Sequence, residues 1–120
     1  MKNLKLGLTL IFGVIMLLGG INHFLKPEMY FPFIPDFLPK PASNYAAGIL
    51  ELVLGIGIFI PRFRHVAALG ILLLMCFFLP LHIWDVFRED PAIGSHKIAL
   101  FRAPVQLLLI YWAWFICKRP

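Results

Sequence analysis

The chain has 120 residues, of which 61% are hydrophobic and only 14% are charged. Soluble domains contain fewer apolar and more charged residues, so the composition indicates one small integral membrane domain that takes up residues 1–120. The formal net charge of +5 does not indicate nucleic-acid binding. The basic residues stand singly or in pairs at the ends of apolar runs, where they anchor helices to lipid headgroups.

The first apolar run covers residues 4–25, and a spanning helix needs about 20 such residues. Because Lys2 and Lys5 stand at its start, the segment also resembles a signal peptide. No small-residue cleavage site precedes Asn22, however, and the run is long enough to span. We therefore expect a first transmembrane helix that ends with Asn22 and His23.

Residues 26–43 form a connection rich in proline and aromatic residues. Five prolines exclude a continuous helix, and the density of aromatic side chains argues against a flexible exposed loop. Two interpretations remain open: a folded cap that covers the outer mouth of the bundle, or a simple interfacial anchor.

The second predicted span, residues 44–60, carries Glu51 in its interior. Gly48 and Gly55 share a helix face with Glu51, and small residues let a neighbouring backbone come close. Ser43 or Asn44 is a candidate N-cap for this helix.

The third and fourth predicted spans cover residues 65–87 and 98–117. His82 and Asp85 lie three residues apart near the end of the third, and Arg102 and Gln106 lie four apart near the start of the fourth. Each pair therefore shares a helix face. Pro80 and Pro104 lie beside these pairs and each frees a backbone carbonyl one turn earlier.

The distribution of Lys and Arg predicts the orientation of the four helices, with both termini in the cytoplasm. The connections assigned to the cytoplasmic side contain Lys2, Lys5, Arg62, Arg64, Lys118 and Arg119. The other two connections balance basic with acidic residues and are expected to face outward. At about 1.5 Å per residue, His23 then lies roughly 3 Å below the outer boundary, and Glu51 roughly 10 to 12 Å.

This topology collects the polar residues of all four spans in the outer half of the bundle. Ionisable groups within membrane helices are costly and often mark a site or a structural ion pair. The predicted site consists of Asn22, His23, Glu51, His82, Asp85, Arg102 and Gln106.

The ordered set of short motifs resembles the DoxX-like family of small membrane proteins. The relevant segments are residues 20–24 with Pro27, Tyr30, Leu38 and Pro39, residues 48–62 with Arg64 and residues 67–70, and residues 101–106 with Trp112 and Ala113. They follow one another in order, so the resemblance extends over most of the chain. The resemblance implies a four-helix bundle of the bacterial inner membrane, in some cases associated with quinone-linked or other membrane redox systems. One departure is His82, where the family pattern leads us to expect asparagine.

Three hypotheses for the polar residues follow. In the first they are structural: Glu51 or Asp85 pairs with Arg102 and fixes the helix register, as in an assembly or chaperone-like subunit. In the second they bind the polar head of a lipophilic ligand, a quinone or a lipid. In the third Glu51, with His23 or His82, performs acid–base catalysis on a lipophilic substrate, so whether the chain is an enzyme stays open.

The remaining expectations concern metals, thiols and partners. No local metal-binding motif is present, and Arg102 would repel a cation, so we expect no metal. Cys76 and Cys117 differ in depth by roughly 16 Å, too far for a disulfide. The lipid bilayer is the expected environment, and a second copy or a larger membrane complex could cover the fourth helix.

Overall fold

The computed structural model describes residues 2–118, which fold into four α-helices. They are α1 (Lys2–Leu25), α2 (Lys40–Phe59), α3 (Arg64–Val86) and α4 (His96–Cys117). All four are long and apolar enough to cross a membrane. The prediction of an all-α, four-helix membrane bundle is confirmed.

The helices run up and down around a ring in chain order. Helix α1 packs most extensively against α2, and α3 against α4, while the α2–α3 and α1–α4 contacts are smaller. One end of the bundle, here called the loop end, carries residues 26–39 and residues 87–95. The opposite end, here called the terminal end, carries both chain termini and the short turn between α2 and α3.

Glycines allow the close approach of α1 and α2. A Cβ atom added at Gly48 would lie 2.7 Å from the Cβ of His23, and one added at Gly55 would lie 3.1 Å from the Gly13 carbonyl oxygen. Real side chains do not fit at such distances without a shift. The small residues that the sequence places on the Glu51 face therefore bring the two backbones together, as expected.

An apolar core fills the middle of the bundle and the half towards the terminal end. Its fully buried members include Phe12, Met16, Ile58, Ile71 and Ala113. Large apolar side chains such as Leu18, Leu73 and Leu108 are exposed on the outside. A lipid environment would cover these side chains.

At the loop end, residues 26–39 fold into two short 3-10 turns, Pro27–Met29 and Phe31–Phe33. Lys40 holds this connection, because its ammonium group donates to the carbonyls of Phe31 (3.2 Å) and Ile34 (2.7 Å). Arg88 joins the two connections of this end through a 2.6 Å hydrogen bond to the Pro32 carbonyl.

Helix α2 begins at Lys40, so the predicted N-cap at Ser43 or Asn44 is wrong. The N-cap residue is Pro39. Pro41, the second residue of the helix, suits a helix start, since the N–H groups of the first turn have no partner within the helix. The side chain of Asn44 is thereby free for a different partner, described below.

Pro80 and Pro104 lie inside α3 and α4, and both helices continue through them. At the terminal end, the Trp112 indole N–H donates to the Leu8 carbonyl at 3.2 Å, and the Lys5 ammonium donates to the Lys118 carbonyl. These contacts between α1 and α4 lie away from the loop end.

Candidate functional site

The most tightly bonded polar group in the bundle joins α1 to α2. The Nε2 atom of His23 lies 2.6 Å from Oε2 of Glu51, and its Nδ1 atom lies 2.7 Å from the side-chain oxygen of Asn44. The Asn44 amide nitrogen donates to the His23 carbonyl at 2.9 Å. All three residues are buried.

The pattern of hydrogen bonds fixes where protons can sit. Because the Asn44 nitrogen donates to a carbonyl, its oxygen faces the ring, and His23 Nδ1 must carry a proton. The contact between Nε2 and Glu51 requires one further proton. The pair is therefore either a neutral histidine with a carboxylic acid or an imidazolium with a carboxylate, and its net charge is zero in both forms.

Tyr30, from the connection between α1 and α2, covers this group. Its ring stacks on the His23 ring with a centroid distance of 3.7 Å, and its hydroxyl accepts a 2.8 Å hydrogen bond from Asn22. Burial raises the pKa of the Tyr30 hydroxyl, and the nearby Glu51 carboxyl raises it further, against the opposing effect of Asn22. The phenol therefore stays protonated at neutral pH.

The carboxylate of Asp85 bonds to the connection between α3 and α4. It accepts hydrogen bonds from the amides of Ala92 (2.5 Å) and Ile93 (3.2 Å), and it lies 3.7 Å from Arg88. Only 1% of the residue is exposed. Asp85 thus closes residues 87–95 into a defined loop.

Arg102 and Gln106 face the bundle interior from one side of α4. The Gln106 amide nitrogen donates to the Met75 carbonyl at 2.6 Å. Two of their buried atoms, Nη1 of Arg102 and Oε1 of Gln106, have no hydrogen-bond partner among the described residues. A donor and an acceptor one helical turn apart are therefore unmatched.

His82 lies close to the first connection. Its ring packs edge-on against Phe33, with centroids 5.6 Å apart. Arg102 and Asp85 are the charged groups near enough to act on it. His82 therefore joins α3 to the folded connection through Phe33.

The seven predicted residues consequently form two groups. Asn22, His23 and Glu51 belong to the α1–α2 group, whereas His82, Asp85, Arg102 and Gln106 belong to the α3–α4 group. The alternative in which Glu51 or Asp85 pairs with Arg102 is wrong, because both carboxylates have the other partners described above.

Two members of the α1–α2 group were not predicted as site residues, Asn44 and Tyr30. A signal for Asn44 exists in the sequence: Asn44, Gly48 and Glu51 recur at helical spacing and so share one face of α2. The position of Tyr30 depends on the path of a nonhelical connection, which no periodicity reveals.

Two open spaces lie away from these residues. A cavity of about 560 Å³ opens at the terminal end, and an apolar groove of about 270 Å³ runs between α3 and α4. Neither is lined by any of the seven predicted residues. At the loop end, residues 26–39 contact both polar groups, through Tyr30 on His23 and Phe33 on His82.

Within residues 2–118, no three His, Cys, Asp or Glu side chains gather in a way that could hold a metal ion. Cys76 is exposed, Cys117 is partly exposed, and neither forms a disulfide.

Comparison with known proteins gives a family and no function. The chain is not significantly similar to any curated protein or to any solved structure. A family model described as a domain of unknown function (DUF8561) matches residues 12–117. Since the match covers most of the chain and all four helices, this protein belongs to that family.

Proposed function

We propose that the protein binds the polar head of a lipophilic molecule at the loop end of the bundle, and that it serves a membrane redox system as an accessory subunit. A quinone or its quinol is the favoured ligand, and a lipid with a similar head is the wider class. The ligand-contacting residues are Arg102 and Gln106, with His82 beside them.

The observation that carries this proposal is the unmatched pair on α4. A buried polar atom without a partner costs about 1–3 kcal/mol, so a ligand that satisfies one gains that much. Nη1 of Arg102 can donate and Oε1 of Gln106 can accept. A quinone carbonyl would accept from the arginine, and a quinol hydroxyl would also donate to the glutamine.

The apolar tail of such a ligand needs a path into lipid. The hydrogen bonds between α1 and α4 involve Lys5, Leu8, Trp112 and Lys118, which all lie towards the terminal end. The loop-end part of this seam lacks such bonds among the described residues. We infer that the tail leaves between α1 and α4, while the head stays beneath residues 26–39.

The α1–α2 group would act as a proton store for this ligand. His23 and Glu51 share a proton without net charge, which lowers the cost of keeping two ionisable groups in an apolar bundle. When the redox system takes electrons from a bound quinol, the quinol also releases protons, and a nearby carboxylate can accept one of them. In this scheme Glu51 exchanges the proton, and Asn44 orients the ring.

The proposed membrane and orientation depend on the resemblance to DoxX-like proteins and on the distribution of basic residues. Of the described basic residues, Lys2, Lys5, Arg62, Arg64 and Lys118 lie at the terminal end. The resemblance implies the bacterial inner membrane, and the positive-inside rule favours both termini in the cytoplasm with the loop end outside.

The test is quinone binding by the purified protein in nanodiscs, measured by quenching of tryptophan fluorescence with a short-chain benzoquinone. Arg102→Met should retain the fold and bind about 10- to 100-fold more weakly, since a hydrogen bond to a charged group contributes about 1.5–3 kcal/mol. Arg62→Met removes the same charge from an exposed position at the terminal end and should leave binding unchanged. Equal binding by both variants would refute the proposal.

A structural role is the second candidate, because these groups have partners without a ligand. Asp85 accepts hydrogen bonds from the backbone, and His23 and Glu51 bond to each other. It predicts that Arg102→Met and Glu51→Leu change stability or insertion alone. Turnover of a lipophilic substrate that Glu51→Gln abolishes would instead indicate an enzyme in which Glu51, with His23 or His82, is catalytic.

A further inference from the structure

The terminal end of the bundle carries a second candidate site, on the opposite side of the molecule from the group around His23. Its cavity measures about 560 Å³. Five side chains that are or can be cationic line it, namely Lys2, Lys5, Arg64, His65 and Lys118. These residues come from α1, from the start of α3 and from the end of α4.

Among the residues that the structure describes, no acidic side chain lines this cavity. The chain has six acidic residues. Glu28, Asp36, Glu89 and Asp90 belong to the two connections of the loop end, and Asp85 and Glu51 are bonded within the groups described above. None of the six lines the cavity. A cluster of cations without counter-charges attracts an anion.

Local contacts hold two of the cations in place and leave donors free. Arg64 uses its Nε atom for a 2.7 Å hydrogen bond to the Ile58 carbonyl, so its two Nη groups remain for a ligand. Lys5 donates to the Lys118 carbonyl and is thereby fixed beside the C-terminal end of α4. An arginine held in this way presents paired donors that match a phosphate group.

The rest of the cavity wall is mainly apolar. Leu6, Pro61, Phe115 and Ile116 contribute to it. A freely soluble anion gains nothing from such a wall, whereas an acyl chain does. The cavity also opens at the ends of three helices whose composition suits a bilayer, which is the depth at which headgroups lie.

We infer that this cavity is a binding site for a phosphate group attached to an apolar chain, namely an anionic phospholipid of the leaflet that meets the terminal end. The phosphate lies among Lys2, Lys5, Arg64 and Lys118, and an acyl chain lies against Phe115 and Ile116. This site is independent of the function proposed for the loop end.

The experiment uses the full chain in nanodiscs that contain equal amounts of phosphatidylglycerol and phosphatidylcholine. Native mass spectrometry counts the lipids retained after release. The wild type should retain phosphatidylglycerol preferentially. Because each basic residue near an anionic surface contributes about 1 kcal/mol, Lys2→Gln/Lys118→Gln should reduce this preference roughly 30-fold at low salt. That variant spares the Lys118 carbonyl and the Arg64 contact.

A matched control removes two exposed lysines at the loop end, Lys26→Gln/Lys97→Gln, and should keep the preference. An equal loss in the control would show that general surface charge recruits the lipid and would overturn the inference. The inference would also be overturned if Lys2→Gln/Lys118→Gln kept the preference for phosphatidylglycerol and Lys5→Gln/Arg64→Gln either kept it too or failed to fold.

A third measurement distinguishes a phospholipid ligand from a soluble phosphate compound. Millimolar inorganic phosphate is added while brominated phosphatidylglycerol quenches tryptophan fluorescence; Trp114 lies under the Lys118 ammonium group at 4.8 Å and reports on the site. Unchanged quenching supports a lipid ligand. Displacement of the lipid by phosphate would assign the site to a soluble phosphate compound and overturn the lipid assignment.

Discussion

The shared proton of His23 and Glu51 leads to a quantitative prediction for two substitutions at position 51. Glu51→Gln keeps the shape, and its amide can donate to the Nε2 atom that faces it at 2.6 Å. Because Nδ1 already carries a proton, the neutral ring accepts this bond, and the net charge of the pair stays zero. We expect the free energy of unfolding to change by less than about 1 kcal/mol.

Glu51→Leu removes the partner instead. The His23 residue is only 6% exposed, so water does not readily replace the lost bond. An unsatisfied neutral donor or acceptor costs about 1–3 kcal/mol. Breaking a buried ion pair costs about 3–5 kcal/mol. The size of the loss therefore also distinguishes a neutral pair from an imidazolium–carboxylate pair.

The assay is reversible unfolding in mixed micelles with increasing SDS, followed by circular dichroism, for the wild type and both variants. Nitrogen chemical shifts of the His23 ring supply the protonation state independently. If Glu51→Gln is destabilised as much as Glu51→Leu, the hydrogen-bond assignment is wrong. If neither variant is destabilised, the contact contributes nothing to the fold.

Three further predictions follow from individual contacts. Gly48→Ala should destabilise the bundle by about 1–3 kcal/mol, because its Cβ would meet α1 at 2.7 Å, whereas Gly7→Ala, with open space around it, should not; SDS unfolding compares the two. Tyr30 should ionise above the ordinary tyrosine pKa of 10.0, so its contribution to stability is present below that pH and is lost as the pH rises through the raised pKa. An absorbance titration measures this pKa, and Asn22→Leu should raise it further. Asp85→Ala should cost at least about 2 kcal/mol and speed proteolysis within residues 87–95, because two amides lose their acceptor; unchanged proteolysis would contradict the capping role.

The sequence predicts the number, type and approximate extent of the helices because spanning segments require long apolar runs. It also identifies the polar residues, since each stands out within such a run. What it does not predict is the pairing. Glu51 has three basic side chains within plausible reach, His23, His82 and Arg102, and composition does not choose among them.

The choice is made by the direction in which side chains lean. Depths counted from the predicted helix ends place His23 and Glu51 roughly 8 Å apart along the bundle axis, yet their side chains lie 2.6 Å apart. In a helix, side chains lean towards the N-terminus. Helix α1 approaches the loop end with its C-terminus and α2 leaves that end with its N-terminus, so His23 leans down and Glu51 leans up.

The same rule separates Glu51 from Arg102. Helix α4, like α2, starts at the loop end, so the side chains of both residues lean in the same direction and cannot close a difference in depth. Close packing at Gly48 then brings α1 near enough for His23 to bond to Glu51. Arg102 is consequently left with a buried donor and no acid beside it, and this is the feature that makes α4 the candidate for a ligand.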